Sequence, residues 1–165
     1  MNWLKIANNS DDVENAVKHK IQTSPFFINL FRSFHIPMSA LNTLKIRIKR
    51  LDGNFCEAGE SEILVDDRLA SDPDFLGKDF HFMAHEVLHW LHRQKEKQNY
   101  FADPEEVEGF STGIAYALFI GRTIDDIASQ FLPLIKITIK DDIKAKAFLQ
   151  QRLGDAANLL KKLGL

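Results

Sequence analysis

Phe80-His81-Phe82-Met83-Ala84-His85-Glu86-Val87-Leu88-His89-Trp90-Leu91-His92 decides how this chain is read. The stretch holds no Gly or Pro, and its length and apolar content predict a helix. On a helix, residues four apart lie about 40° apart around the axis and about 6 Å along it. His85 and His89 therefore aim two imidazoles at one point, and Glu86 sits beside that pair in angle. Neutral imidazoles hold a tetrahedral zinc ion and leave a coordination position open. A carboxylate next to them can take a proton from metal-bound water. The expected cofactor is Zn2+, with Glu86 as general base. The neighbours Phe82, Met83, Val87, Leu88, Trp90 and Leu91 are uncharged, as in a helix set into a core, and Glu86 has no evident packing task among them.

Two histidines are too few protein ligands for a zinc site, so a third is expected downstream. In Asp103-Pro104-Glu105-Glu106-Val107-Glu108-Gly109-Phe110, Asp103 suits an N-cap and Pro104 a first helical position, so a second helix should start there. Glu106 falls three after the cap, in the capping-box place. Glu108 lies one turn inside, followed on its stripe by Thr112 and Tyr116. Gly109, Gly113 and Ala117 make a small-residue stripe flanking Glu108, which would let this helix close on the HEVLH helix.

Taken together, His85-Glu86-x-x-His89, eighteen intervening residues and Glu108-Gly109-Phe110 resemble the gluzincin branch of the zinc metallopeptidases, the thermolysin and alanyl-aminopeptidase type. The resemblance runs from about residue 63 to 116. The Asp-Pro-x-Glu-x-Glu-Gly wording also resembles small phage and bacterial metallopeptidases. It implies a zincin-like fold, peptide-bond hydrolysis and a glutamate as third ligand. Glu108 is preferred over Glu106, to which capping already gives a task, and Glu105 reads as solvated. The metzincin continuation is absent, since its glycine position is His92 and its last histidine position is Lys95. Some gluzincins steady the tetrahedral intermediate with a tyrosine, and Tyr100 and Tyr116 each stand eight residues from Glu108. His81 and His92 share the stripe of His85 and His89, as partners of the ligands or as oxyanion donors. Thr112 is placed to hydrogen-bond a ligand.

Upstream, Ser10-Asp11-Asp12 offers caps for a helix carrying Val13, Val17 and Ile21 at helical spacing. Ser24-Pro25 opens another helix, rich in Phe26, Phe27, Phe31 and Phe34, which Pro37 stops. Residues 44–49 alternate apolar and basic, as a half-buried strand does. Asp52-Gly53-Asn54 signals a turn, and residues 61–66 read as a second strand, at the sheet edge bordering the cleft. From about Phe75 the chain reads as helical, and the amphipathic stretches after residue 122 should cover the core. Cys56, with no His or Cys at metal spacing, reads as structural.

The 165 residues amount to one domain and a real core, expected to span 1–165. A formal charge of -2 and a pI near 6.3 give no general attraction to nucleic acid or anionic lipid. A single cysteine excludes an internal disulfide framework. No secretory leader pattern opens the sequence and no apolar run is long enough to cross a membrane, so a cytoplasmic address is expected. The expected architecture is α+β: a compact zincin-like domain, mostly helical, with a small twisted sheet beside the HEVLH helix. The expected partner is a peptide or protein substrate. The alternative is a zincin fold used for binding or structure without turnover: a virion component, a scaffold or a regulator.

Overall fold

The computed structural model describes residues 10–95 and 103–165. Its helices are α1 (Ser10–Thr23), α2 (Pro25–Ser33), the short α3 (Asp67–Ala70), α4 (His81–Lys95), α5 (Asp103–Phe119), α6 (Ile124–Thr138) and α7 (Asp142–Leu163). The strands are β1 (Lys45–Lys49), β2 (Cys56–Ala58) and β3 (Glu62–Asp66), and 3-10 turns run over Met38–Thr43 and Lys78–Phe80. This is the expected α+β architecture, mostly helical with a small mixed sheet. Among the described residues no helix is long and apolar enough to cross a membrane.

Local chemistry accounts for the element bounds. Pro25 takes the first helical position of α2, where its missing N–H costs nothing. The helix stops at Ser33, ahead of Pro37, and His35 turns the chain out at φ 58°. Thr123 and Asp126 close a reciprocal capping box on α6. Gly164, at φ 74°, supplies the left-handed residue that ends α7.

The sheet order is β1-β3-β2, with β1 parallel and β2 antiparallel to β3. The expectation that the strand at 62–66 borders the cleft as an edge is therefore corrected. Both sides of β3 are taken by neighbours, and the cleft edge is β2, which no sequence pattern marks. Three residues, Cys-Glu-Ala, are too few to show a period of two.

Each outer edge of the sheet ends on a helix-borne glutamate. Glu14 of α1 accepts the Ile46 N–H of β1 at 3.0 Å, and Glu86 of α4 accepts the Ala58 N–H of β2 at 2.7 Å. One continuous core ties Val13, Val17 and Ile21 of α1 to Phe26, Phe27 and Phe31 of α2, to Ile46, Ile63 and Val65 of the sheet and to Met83, Val87 and Trp90 of α4. The later helices cover it through Ile127, Phe131 and Ile135 of α6 and Ala145, Leu149 and Ala156 of α7.

Asp66 ends β3 fully buried, accepting the Leu51 N–H at 2.7 Å and the backbone and side chain of Arg68. Its hydrogen bonds to Arg68 hold the carboxyl well below the usual carboxylate range. Asp66→Ala would leave the Leu51 N–H unsatisfied. A loss of about 1–3 kcal/mol in urea unfolding is expected, and an unchanged midpoint would show that the network contributes nothing.

Candidate metal centre

Helix α4 carries the centre because its apolar residues face inward. Met83, Val87, Leu88 and Leu91 are buried, which turns His85 and Glu86 toward a cleft as half-buried side chains. The cleft, about 660 Å³, lies between α4, β2 with the loop before it, Phe110 of α5 and Phe131, Leu134 and Ile137 of α6. His81, His85, Glu86, His89 and Arg93 line it from α4.

The imidazoles of His85 and His89 converge, with Nε2 facing Nε2 at 2.9 Å. At that separation one Nε2 carries a proton and the other accepts it. Phe110 stands edge-on to the His85 ring, with centroids 5.4 Å apart and planes at 83°. The opposite constraint comes from Gly109. A Cβ built there would stand 2.6 Å from His85 Nε2 and 2.7 Å from its Cε1, so the ring lies directly on the α5 backbone. At Gly113 a Cβ would come within 3.1 Å of the His81 carbonyl oxygen. The small-residue stripe thus brings α5 onto α4, as its sequence predicts.

Glu86, expected as general base with no packing task, has a structural contact. Its Oε2 accepts the Ala58 N–H, and Arg93, seven residues along the same helix, donates to the carbonyl oxygens of Ala58 and Gly59. The ladder to β3 uses residues 55 and 59, through Asp66 N–H to Phe55 oxygen and Gly59 N–H to Glu62 oxygen. By antiparallel alternation, Ala58 points its backbone groups outward. Two side chains of α4 thus hold the free edge of β2. Neither Ala58 nor Arg93 is singled out by a sequence motif.

Glu108 sits beside Gly109 at the α4–α5 contact. Its Oε2 accepts from His92 Nε2 at 2.9 Å, and its side chain is 51% exposed. The His92 hydrogen bond, ahead of the weaker pull of Lys162 and His89, lowers its pKa. Among the described residues, no three His, Cys, Asp or Glu side chains gather as a metal-binding group. The His85–His89 pair has the donor chemistry and convergence that a zinc ion needs, while the Glu108 carboxylate rests on His92. The side chains of Glu105 and Glu106, and Tyr100 entirely, lie outside the described residues.

The remaining candidates separate cleanly. Tyr116 is buried among Phe26, Phe27 and Phe80, with ring centroids 5.3–5.7 Å away, and burial pushes its phenol up. It belongs to the core, not the cleft. Thr112 is fully buried, its hydroxyl unpartnered among the described residues. His81 is 1% exposed and its Nδ1–H donates to the Lys78 carbonyl at 2.9 Å. Burial, the largest influence, brings its pKa down to about 4. A neutral ring with its proton on Nδ1 offers only a lone pair at Nε2, so His81 cannot donate to an oxyanion. Cys56 is buried beside Met83, Sγ to Sδ 3.8 Å, and burial raises its thiol pKa, which fits the structural reading.

No protein-family model, curated protein or solved structure matches this chain. The site therefore stands on its own geometry.

Gly109→Ala forces the His85 ring to move, because the imidazole tip is the softest neighbour of the new methyl group. Histidine NMR should show displaced His85 and His89 signals with a melting temperature within a few degrees of wild type. Unmoved signals would disprove the contact. His81 yields a pH prediction. Its folded pKa, about 4, lies below the unfolded value near 6.5, so the unfolded chain binds more protons between the two. Its contribution is complete above pH 6.5 and is lost as pH falls toward 4, up to about 3 kcal/mol. His81→Asn keeps an N–H for Lys78 and should flatten that part of the stability profile. An equally steep fall in the variant would contradict the assignment.

Proposed function

We propose that this cleft hydrolyses peptide bonds with a zinc ion held by His85, His89 and Glu108. The observation that carries the reading is the convergence of the two imidazoles at 2.9 Å in the wall of an open cleft, with the Glu86 carboxylate one residue along. When bound there, zinc acidifies a water molecule and polarises a carbonyl. The residues of the chain supply the rest. Glu86 has one oxygen anchored by Ala58 N–H, and its second oxygen takes up the water proton and passes it to the leaving amine. Phe55, Phe82, Phe110 and Phe131 give the cleft an apolar wall that suits an apolar substrate side chain. An extended substrate would lie along β2, not β3. The Ala58 positions of β2 are filled from α4, so Cys56 offers the outward backbone groups.

The second reading is a metal-binding or purely structural protein without turnover. The Glu86–Ala58 bond favours it, because that bond gives the carboxylate a task with no chemistry in it.

Glu86→Gln separates the two. A glutamine oxygen still accepts the Ala58 N–H, so fold and zinc content should stay as in wild type. Hydrolysis of casein or a peptide library should fall about 10²–10⁴-fold. Zinc-loaded wild type that cleaves nothing, or a variant as active as wild type, rejects the hydrolytic mechanism.

A further inference from the structure

A second hollow, about 740 Å³, opens away from the histidine pair where four segments of chain meet. Lys20 enters it from the last turn of α1, and Gly77, Lys78 and Asp79 from the turn before α4. Ile120, Gly121 and Arg122 come from the α5–α6 connection, and Asp126 and Gln130 from α6. None of these residues lines the cleft of His85 and His89.

The charges around the hollow are unevenly matched. Asp79 is 8% exposed, and its Oδ1 accepts from Gln130 Nε2 at 2.9 Å. Asp126 Oδ2 accepts the Thr123 hydroxyl at 2.7 Å, in the cap of α6. Lys78 Nζ pairs with Asp74, outside the hollow, at 2.7 Å. Both acids and one cation are thus engaged, whereas Lys20 and Arg122 form no ion pair among the described residues. Arg122 donates to neutral oxygens: the Lys78 and Asp126 carbonyls, each at 3.4 Å, and the Gln130 amide. Those bonds hold its planar fork in place and leave its charge unmatched. Lys20 is half-buried, and its ammonium lies 5.3 Å from the centre of the Phe80 ring, so an aromatic face stands where a counter-ion would. Burial lowers the Lys20 pKa, as it does for a cation without a partner. A held guanidinium fork and a point charge on one hollow suit an oxyanion. Ile120, 37% exposed, adds an apolar side.

We propose that this hollow binds an oxyanion, the phosphate or carboxylate group of a small molecule, between Lys20 and Arg122, with the apolar part of the ligand against Ile120. The proposal goes beyond the hydrolytic reading and shares no residue with it.

The test titrates inorganic phosphate, phenyl phosphate and benzoate into the protein and follows backbone amide NMR signals. Wild type, Lys20→Gln, Lys20→Arg, Arg122→Gln and Lys144→Gln are compared, with melting curves to show that each folds. Signals of residues 77–79 and 120–122 should move with saturation, and phenyl phosphate should bind more tightly than phosphate. Benzoate weaker than phenyl phosphate identifies a phosphate site, and the reverse a carboxylate site. Lys20→Gln and Arg122→Gln should each weaken binding about tenfold or more. Lys20→Arg, which keeps the charge, should retain most of the affinity. Lys144→Gln, which removes a positive charge from an exposed position of α7, should bind as wild type. No movement of these signals with any of the three anions overturns the proposal, as does wild-type affinity in Lys20→Gln or Arg122→Gln.

Discussion

The close approach of α5 to α4 at Gly109 is the constraint on which the rest of the centre depends. The His85 ring occupies the space where any other residue at 109 would place its Cβ. That contact sets the distance between the helices and, with Phe110 at the ring edge, fixes the rotamer that turns His85 Nε2 toward His89. Because Glu108 and Phe110 flank the same glycine, the contact also determines where a carboxylate and an aromatic wall leave α5. A helix interior normally disfavours glycine by about 1 kcal/mol against alanine. Here the missing methyl group is what lets the histidine fit.

The sheet imposes a second condition. With three strands it has two open edges, and each outward N–H discussed above meets a glutamate from a helix: Glu14 at Ile46 and Glu86 at Ala58. Unpaired edges invite association with other strands, and a carboxylate placed there suppresses it. The two glutamates differ in surroundings. Glu14 also pairs with Lys18 and Lys45, whereas Glu86 lines the cleft beside His85. The same residue type in the same backbone role is thus set in an ordinary salt-bridged position in one case and beside two converging imidazoles in the other. That contrast keeps a structural task for Glu86 compatible with a chemical one, since the edge bond engages a single oxygen.

The legible parts of the sequence were those governed by local periodicity. Val13, Val17 and Ile21 marked the buried face of α1, Pro25 marked the start of α2, and the four-residue spacing of His85 and His89 brought their nitrogens together. What was not legible depended on long-range contacts or on phase over several turns. Strand β2 is too short to show a pattern. The Glu86–Ala58 bond joins residues 28 apart, with no cue at either end. Tyr116 shares a nominal stripe with Glu108, but eight residues advance a helix by about 12 Å, which carries the phenol away from the cleft and into the phenylalanine cluster. For His81, spacing placed the ring beside the cleft, yet its hydrogen-bonding sense was set by the Lys78 carbonyl, which no motif announces.

The protonation pattern of α4 follows from these contacts. The Lys78 carbonyl accepts from His81 Nδ1–H and burial keeps that ring neutral, so the inner end of the stripe carries no imidazolium. His85 and His89 face each other through Nε2 at 2.9 Å, and at the outer end His92 Nε2–H donates to Glu108. The two carboxylates nearby, Glu86 and Glu108, each accept through one oxygen, from Ala58 N–H and from His92 Nε2–H. The stripe thus runs from a buried neutral ring, through two facing imidazoles, to a ring bonded to a carboxylate.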